Sequence, residues 1–227
     1  MKILMKYPSR GRPDWFKQTL ELYKDKLGDT HEHQWLITMD VDDASMNNDA
    51  MRAYLDRQHN LMYHYGESKT KIEACNADME MAGDWDVLVL VSDDMLPSIF
   101  RLDDVIATEM QKNFPDLDGA LNFPDGCCGN NGLITQSIMG RRLYEHFGYI
   151  YYPGYRSFYC DTEFSDVVRE MGKCAECEMM IVHHDWKGDN VDALAIKNRR
   201  DWDHDEQLYK QRKAAGWPGV GLTWTHT

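Results

Sequence analysis

The segment Asp86-Val87-Leu88-Val89-Leu90-Val91 constrains the fold of this chain more than any other stretch. An unbroken run of β-branched residues and leucine has no polar face to turn toward water. It therefore reads as a central strand covered on both sides, the signature of a parallel sheet. The run is far shorter than the roughly 20 apolar residues a spanning helix needs. It ends on Ser92-Asp93-Asp94. Two carboxylates directly after a buried strand are costly unless they meet water or a cation. They either cap a following helix that starts near Pro97 or hold a hard divalent ion.

Similar strand-then-helix units precede it. Lys2 to Tyr7 reads as a strand ended by Pro8-Ser9-Arg10-Gly11-Arg12-Pro13. Asp14 then caps a helix with its apolar stripe on Phe16, Leu20, Tyr23 and Leu27, and Gly28 stops it. Trp35 to Met39 forms a second strand and runs into Asp40-Val41-Asp42-Asp43, followed by a short helix through Met51, Tyr54 and Leu55. Leu61 to Tyr65 is a third strand. Ile72, Cys75 and Met79 predict one helix from Ser68 to about Ala82. Four such units in about a hundred residues specify an open, mostly parallel α/β sheet.

The second half is less regular. Ile99, Leu102, Ile106 and Met110 mark a helix, Gly119 to Phe123 and Leu133 to Met139 read as strands, and Arg141 to Phe147 as a short helix. The Gly- and Asn-rich stretch from Asp125 to Gly132 is loop chemistry. A tyrosine-rich loop from Tyr149 to Tyr159 leads to a helix on Phe164, Val167, Val168 and Met171. Met179 to Val182 is a last buried strand ending at His183-His184-Asp185, and one more helix falls near Asp205 to Ala215. Residues 1–190 read as one domain, 1–96 and 97–190 being its halves, with 191–227 as a C-terminal extension.

Composition narrows the class. The 227 residues carry 25 Lys and Arg against 38 Asp and Glu, a formal charge of −13. That balance argues against a large surface for nucleic acid or anionic lipid. The charged N-terminus lacks a signal-peptide core, so the expectation is a soluble, cytoplasmic protein. Cys174-Ala-Glu-Cys177 has the spacing of a metal or redox pair, but the other close pair, Cys127-Cys128, is wrongly spaced for a second knuckle; the cysteines read as reduced structural thiols. Arg141-Arg142 reads as an exposed helix start, His31 and His33 as surface residues, and Trp202 and Trp217 as pins for the C-terminal segment.

Ligands collect at the carboxyl ends of strands in open α/β sheets. Here those ends carry Ser9-Arg10, Asp40-Asp42, Asp93-Asp94 and His183-His184. The ordered series Pro8-Ser9-Arg10-Gly11-Arg12-Pro13, Asp40, Lys71…Asn76 and Ser92-Asp93-Asp94 resembles the GT-A fold glycosyltransferases, in particular the small family-2-like enzymes that use nucleotide sugars. The resemblance covers roughly residues 1–190. It departs in one place: Ser92 stands at the first position of the Asp-X-Asp motif.

The resemblance implies a Rossmann-like, mostly parallel central sheet flanked by helices, with an irregular acceptor-side half. It implies that Pro8, Ser9 and Arg10 line a nucleotide pocket and that Asp40 accepts a hydrogen bond from the base, expected to be uracil. Lys71 and Asn76 would flank ribose and diphosphate. Asp94, with Asp93 beside it, would hold Mn2+ or Mg2+, and one of His183 or His184 would add a ligand. Asp161, opening the acceptor-side helix, would be the base of an inverting hexosyl transfer from a UDP-sugar, with Glu163 as its substitute. An ordinary helix cap is the alternative reading of Asp161. The tyrosines from Tyr149 to Tyr159 either stack on sugar or pack the loop.

Other functions remain in competition. A nucleotide- or carbohydrate-binding module would keep the pocket without needing Asp161. A sugar nucleotidyltransferase would want a glycine-rich phosphate loop, and Ser9-Arg10-Gly11-Arg12-Pro13 holds one glycine. A metal hydrolase on His183-His184-Asp185 lacks a second ligand cluster. The acceptor is open: a glycan, a small molecule, a protein or a modified DNA base.

Overall fold

The computed structural model describes residues 1–126, 132–178, 181–183 and 198–220. Its main sheet has seven strands in the order β3-β2-β1-β4-β7-β6-β8: β1 (Lys2–Pro8), β2 (Glu32–Asp40), β3 (Leu61–Gly66), β4 (Val87–Leu90), β6 (Ala120–Asn122), β7 (Ile138–Gly140) and β8 (Cys174–Glu176). The first four strands are mutually parallel. β7 runs antiparallel to both β4 and β6, and β6 pairs parallel with β8. The result is the mixed, mostly parallel α/β sheet that the strand-helix alternation predicts.

β4 is buried on both faces. Val87, Val89 and Val91 enter one core with Ile3, Met5 and Tyr7 of β1, against α1 (Pro13–Lys26), α2 (Asp49–Leu55) and α4 (Leu102–Asn113). Leu88 and Leu90 enter the other with Leu4, against α3 (Lys71–Asn76), α5 (Arg141–Phe147) and α6 (Cys160–Glu170). The split follows from side chains alternating along each strand. Gly140 marks a close approach: a Cβ there would lie 2.2 Å from the Leu117 carbonyl oxygen.

Several local expectations give way to tertiary structure. Arg12 occupies the cap position of α1, so Asp14 sits inside the first turn. The helix expected from Ser68 to Ala82 breaks after Asn76, and only a 3-10 turn, Met79–Met81, follows. The chain leaves the helix at Ala77, which is extended (ψ 158°), and Asp78 beyond it is left-handed (φ 64°); its carboxylate accepts from Thr38 Oγ1 at 2.6 Å and sits 2.8 Å from His64 Nδ1. The helix expected to start near Pro97 starts at Leu102: β5 (Met95–Pro97) comes first and pairs antiparallel with β9 (Ile181–His183) in a separate ribbon. The strand expected from Leu133 to Met139 shortens to Ile138–Gly140.

The C-terminal segment packs onto the body. Arg212 of α7 (Trp202–Ala214) and Glu163 of α6 form a buried ion pair, with nitrogen-oxygen distances of 2.7–3.0 Å. Asp205 of α7 accepts from the amides of Arg156, Ser157 and Phe158 at 2.8–3.0 Å. Trp217 is fully buried and donates from Nε1 to Glu170, while Trp202 lies against Phe158 and Tyr159. No helix among the described residues is long and apolar enough to cross a membrane.

Candidate active site

The parallel register brings the ends of β1, β2 and β4 to one edge of the sheet. Pro8 pairs with Thr38, two residues before Asp40, and Lys6 pairs with Leu90, just short of the Ser92-Asp93-Asp94 turn. Ser9, Arg10, Asp40, Asp93 and Asp94 therefore share one edge.

Asp40 is nearly inaccessible, and its two oxygens differ. Oδ2 accepts from Arg10 Nη1 at 2.6 Å. Oδ1 is buried with no hydrogen-bond partner, and such an oxygen is expensive to leave unsatisfied. Arg10 also reaches both oxygens of Asp42, at 2.6 and 3.1 Å, and these bonds, with those to Asp40, raise its pKa. The Gly11 amide donates to Asp43 at 2.6 Å, closing the β1 and β2 loops onto each other.

The acidic pair at the β4 tip divides its work. Asp93 points inward, accepting from Tyr7 and, more distantly, from Ser9 Oγ at 3.3 Å, with Arg12 Nη1 3.9 Å away. Burial pushes its carboxyl up to about 6 against these contacts. Asp94 is half-buried and accepts from Ser92 Oγ at 2.5 Å. Ser92 and Asp94 thus set hard oxygen donors side by side, as Mg2+ and Mn2+ prefer. The β5–β9 register places the His183 backbone opposite Met95, one residue beyond Asp94. The His183 side chain and all of His184 lie outside the described residues, as do Cys127 and Cys128.

Asp161 sits in the first turn of α6. Tyr159 holds the cap position, and Asp161 Oδ1 accepts from the adjacent Thr162 amide at 2.8 Å rather than from Glu163 or Phe164. Burial raises the Asp161 pKa, opposed first by the Lys71 charge. Lys71, in the first turn of α3, is exposed on one side. Burial of the remainder opposes its charge, but the Cys160, Cys75, Asp94 and Asp161 groups outweigh it and raise the ammonium pKa. Both thiols are themselves pushed up by burial and stay neutral, so the standing charges facing Lys71 are the two carboxylates. One cation thus lies in the field of the β4-tip acid and of the α6 acid.

Other expected residues have structural tasks. Asn76 Oδ1 accepts from the Ile150 and Tyr151 amides, and its Nδ2 donates to the Tyr151 carbonyl, so its amide clasps the tyrosine loop. Glu163 is spent on Arg212 and on Tyr155 Oη, which removes it as a substitute base. Tyr151 and Tyr155 are buried, and rings along the loop meet edge to face, so the loop packs itself. Arg141 and Arg142 pair with Glu145 and Asp116. Sequence reasoning missed Arg10 as the partner of Asp40 and Tyr7 as the partner of Asp93; an aromatic residue inside a buried strand carries no mark of the carboxylate it will meet.

Among solved structures, a mannosyltransferase, PcManGT from Pyrobaculum calidifontis in complex with GDP-Man and Mn2+, superposes with a TM-score of 0.69 over 92% of this chain and 64% of its own, at 14% identity. S. aureus TarS matches with a TM-score of 0.65, covering 93% of this chain and 39% of that one at 10% identity. The chain has the GT-A fold. A further GT-A neighbour, S. aureus TarS 1–349 in complex with UDP-GlcNAc, gives 0.63 over 93% of this chain and 71% of that one, at 12% identity. The chain spans less than two thirds of the length of the first two. No protein-family model matches the sequence, and no curated protein matches it.

Proposed function

We propose that the chain is a glycosyltransferase moving a sugar from a UDP-sugar to an acceptor hydroxyl with inversion, assisted by a divalent ion. The observation that carries this reading is the buried, unpartnered Asp40 Oδ1 on the same sheet edge as Asp94. A ring N–H would satisfy that oxygen. Uracil offers one such donor, N3–H. Guanine offers two in parallel, N1–H and N2–H, and would want both carboxylate oxygens. Arg10 already occupies Oδ2, so the site fits the one-donor edge.

Asp94 and Ser92, with His183 at the neighbouring register position, are the residues that would hold Mn2+ or Mg2+; the bound ion would stabilise negative charge on the diphosphate. Asp93 keeps the tip in shape through Tyr7 and Ser9. Asp161 removes the acceptor hydroxyl proton as the acceptor oxygen attacks C1 and the bond from C1 to the diphosphate breaks. Burial raises its pKa, which makes the carboxylate a stronger base. Lys71 adds a fixed positive charge beside the departing diphosphate.

The test needs no acceptor. UDP with Mn2+ raises the melting temperature more than GDP with Mn2+, by mass action, and Asp94→Ala loses the part that depends on Mn2+. UDP-sugars are slowly hydrolysed, and Asp161→Asn lowers that turnover about 10²- to 10⁴-fold, the usual worth of a positioned base, while UDP binding stays intact. Failure of every nucleotide diphosphate to stabilise the protein sinks the proposal; binding without turnover by any version leaves a nucleotide-binding module in its place.

A further inference from the structure

We infer that the chain carries a second metal site, for a borderline ion of the Zn2+ type, at the opposite end of the sheet. His31 directly precedes β2 and Asp40 ends it; nine residues at about 3.3 Å each separate the two ends by roughly 30 Å. One ring nitrogen of His31 and one oxygen each of Asp103 and Asp104, in the first turn of α4, lie within 4.8 Å of one another. Among the described residues no other trio of His, Cys, Asp and Glu does so. The inference is independent of the nucleotide reading.

Each group is held in place. The Met1 main-chain nitrogen lies 3.1 Å from His31 Nδ1, which leaves Nε2 turned toward Asp104 Oδ1 at 3.4 Å. Asp103 is wholly buried; its Oδ1 accepts from the Gly28 amide at 2.7 Å, and its Oδ2 lies 3.0 Å from His33 Nε2. Arg101 engages the other oxygen of Asp104. Contacts of this kind orient metal ligands from behind. One imidazole with two carboxylates suits a borderline first-row ion better than Mg2+, which favours all-oxygen sites. Acidic residues in a first helical turn need no metal to account for them; the histidine converging on both of them is what a helix cap leaves unexplained. A cleft of about 670 Å³, lined by His31 and His33 with Asp29, Glu32 and Asp84, opens the histidine side of the trio to solvent. Zn2+ there would tie β2 to α4.

The experiment is calorimetric titration of the full, chelator-stripped chain with ZnCl2, without nucleotide. One equivalent binds to the wild type and to Asp94→Ala; its affinity falls at least tenfold in His31→Gln and in Asp104→Asn, each shown by circular dichroism to remain folded. Co2+ bound in place of Zn2+ gives ligand-field bands without a sulfur-to-cobalt charge-transfer band. No binding by the wild type, the same isotherm in both variants, or a sulfur band implicating Cys174 and Cys177 overturns the inference.

Discussion

Removing the Asp40 side chain is the sharpest test of the proposed nucleotide site. Oδ1 is buried and unpartnered, so a base N–H reaching it forms a bond to a charged acceptor that no water replaces. Such bonds contribute about 1.5–3 kcal/mol, and every 1.4 kcal/mol is tenfold, so Asp40→Ala weakens UDP binding roughly 10- to 150-fold. Asp40→Asn keeps a neutral acceptor and loses less. Neither variant sets Arg10 adrift, because Asp42 still holds it through two bonds of 2.6 and 3.1 Å. Arg10→Ala acts differently: it uncovers Oδ2, and a carboxylate with both oxygens open gains for GDP relative to UDP. Calorimetry with UDP and GDP on the four proteins, with Mn2+ fixed, reads all of this. A UDP dissociation constant that stays within twofold in Asp40→Ala refutes the reasoning outright.

Three other changes probe what supports the site. Glu163→Gln breaks an ion pair whose side chains are each 5% exposed, which costs about 3–5 kcal/mol; the melting temperature falls by roughly 6–20 °C at 2–4 °C per kcal/mol. Glu163→Gln with Arg212→Met recovers most of that loss, and a double variant no better than the single one contradicts the account. Asp93 titrates at about 6 in the fold against an ordinary 3.8, so the folded state holds the extra proton between those values. Its contribution to stability is complete below about pH 4 and lost as pH rises through 6, about 3 kcal/mol for two pKa units. Urea unfolding at pH 4 and pH 7 shows Asp93→Asn gaining on the wild type by that order; a constant difference rejects it. Asn76→Ala releases the amides of Ile150 and Tyr151. It lowers turnover and stability with UDP affinity within threefold, whereas a large loss of affinity assigns Asn76 to the nucleotide after all.

The parallel half of the sheet was legible because each of its strands carries its own signal: an apolar run, a polar stop, then a helical stripe. Register did the rest, since aligned parallel strands put their terminal residues on one edge whatever the intervening helices do. Two of the short strands were not legible in this way. β5 and β8 have three residues each, too few to show a period, and exist because a partner pairs with them. Residues 68–82 show a helical period throughout, yet Asp78 leaves the helix for partners on β2 and β3 that lie 40 and 14 positions away.

The same distinction separates the site residues. Asp40 and Asp94 were singled out by position, because a strand tip is a local feature, and the structure places both at strand ends on one edge of the sheet. What a polar side chain does depends on which distant group meets it. Asn76, expected beside the nucleotide, and Glu163, expected as a substitute base, act in the structure as clasps, one on the tyrosine loop and one on α7, over separations of 75 and 49 residues. Those clasps still bear on the chemistry. Asn76 ends the helix that begins at Lys71, and Glu163 lies two residues past Asp161 on α6. Lys71 and the proposed base Asp161 therefore stand on two helices that are each fastened by a polar clasp, Asn76 on the tyrosine loop and Glu163 on α7. A fixed spacing between Lys71 and Asp161 is what the proposed displacement, with base and leaving group on opposite faces of the sugar, would require.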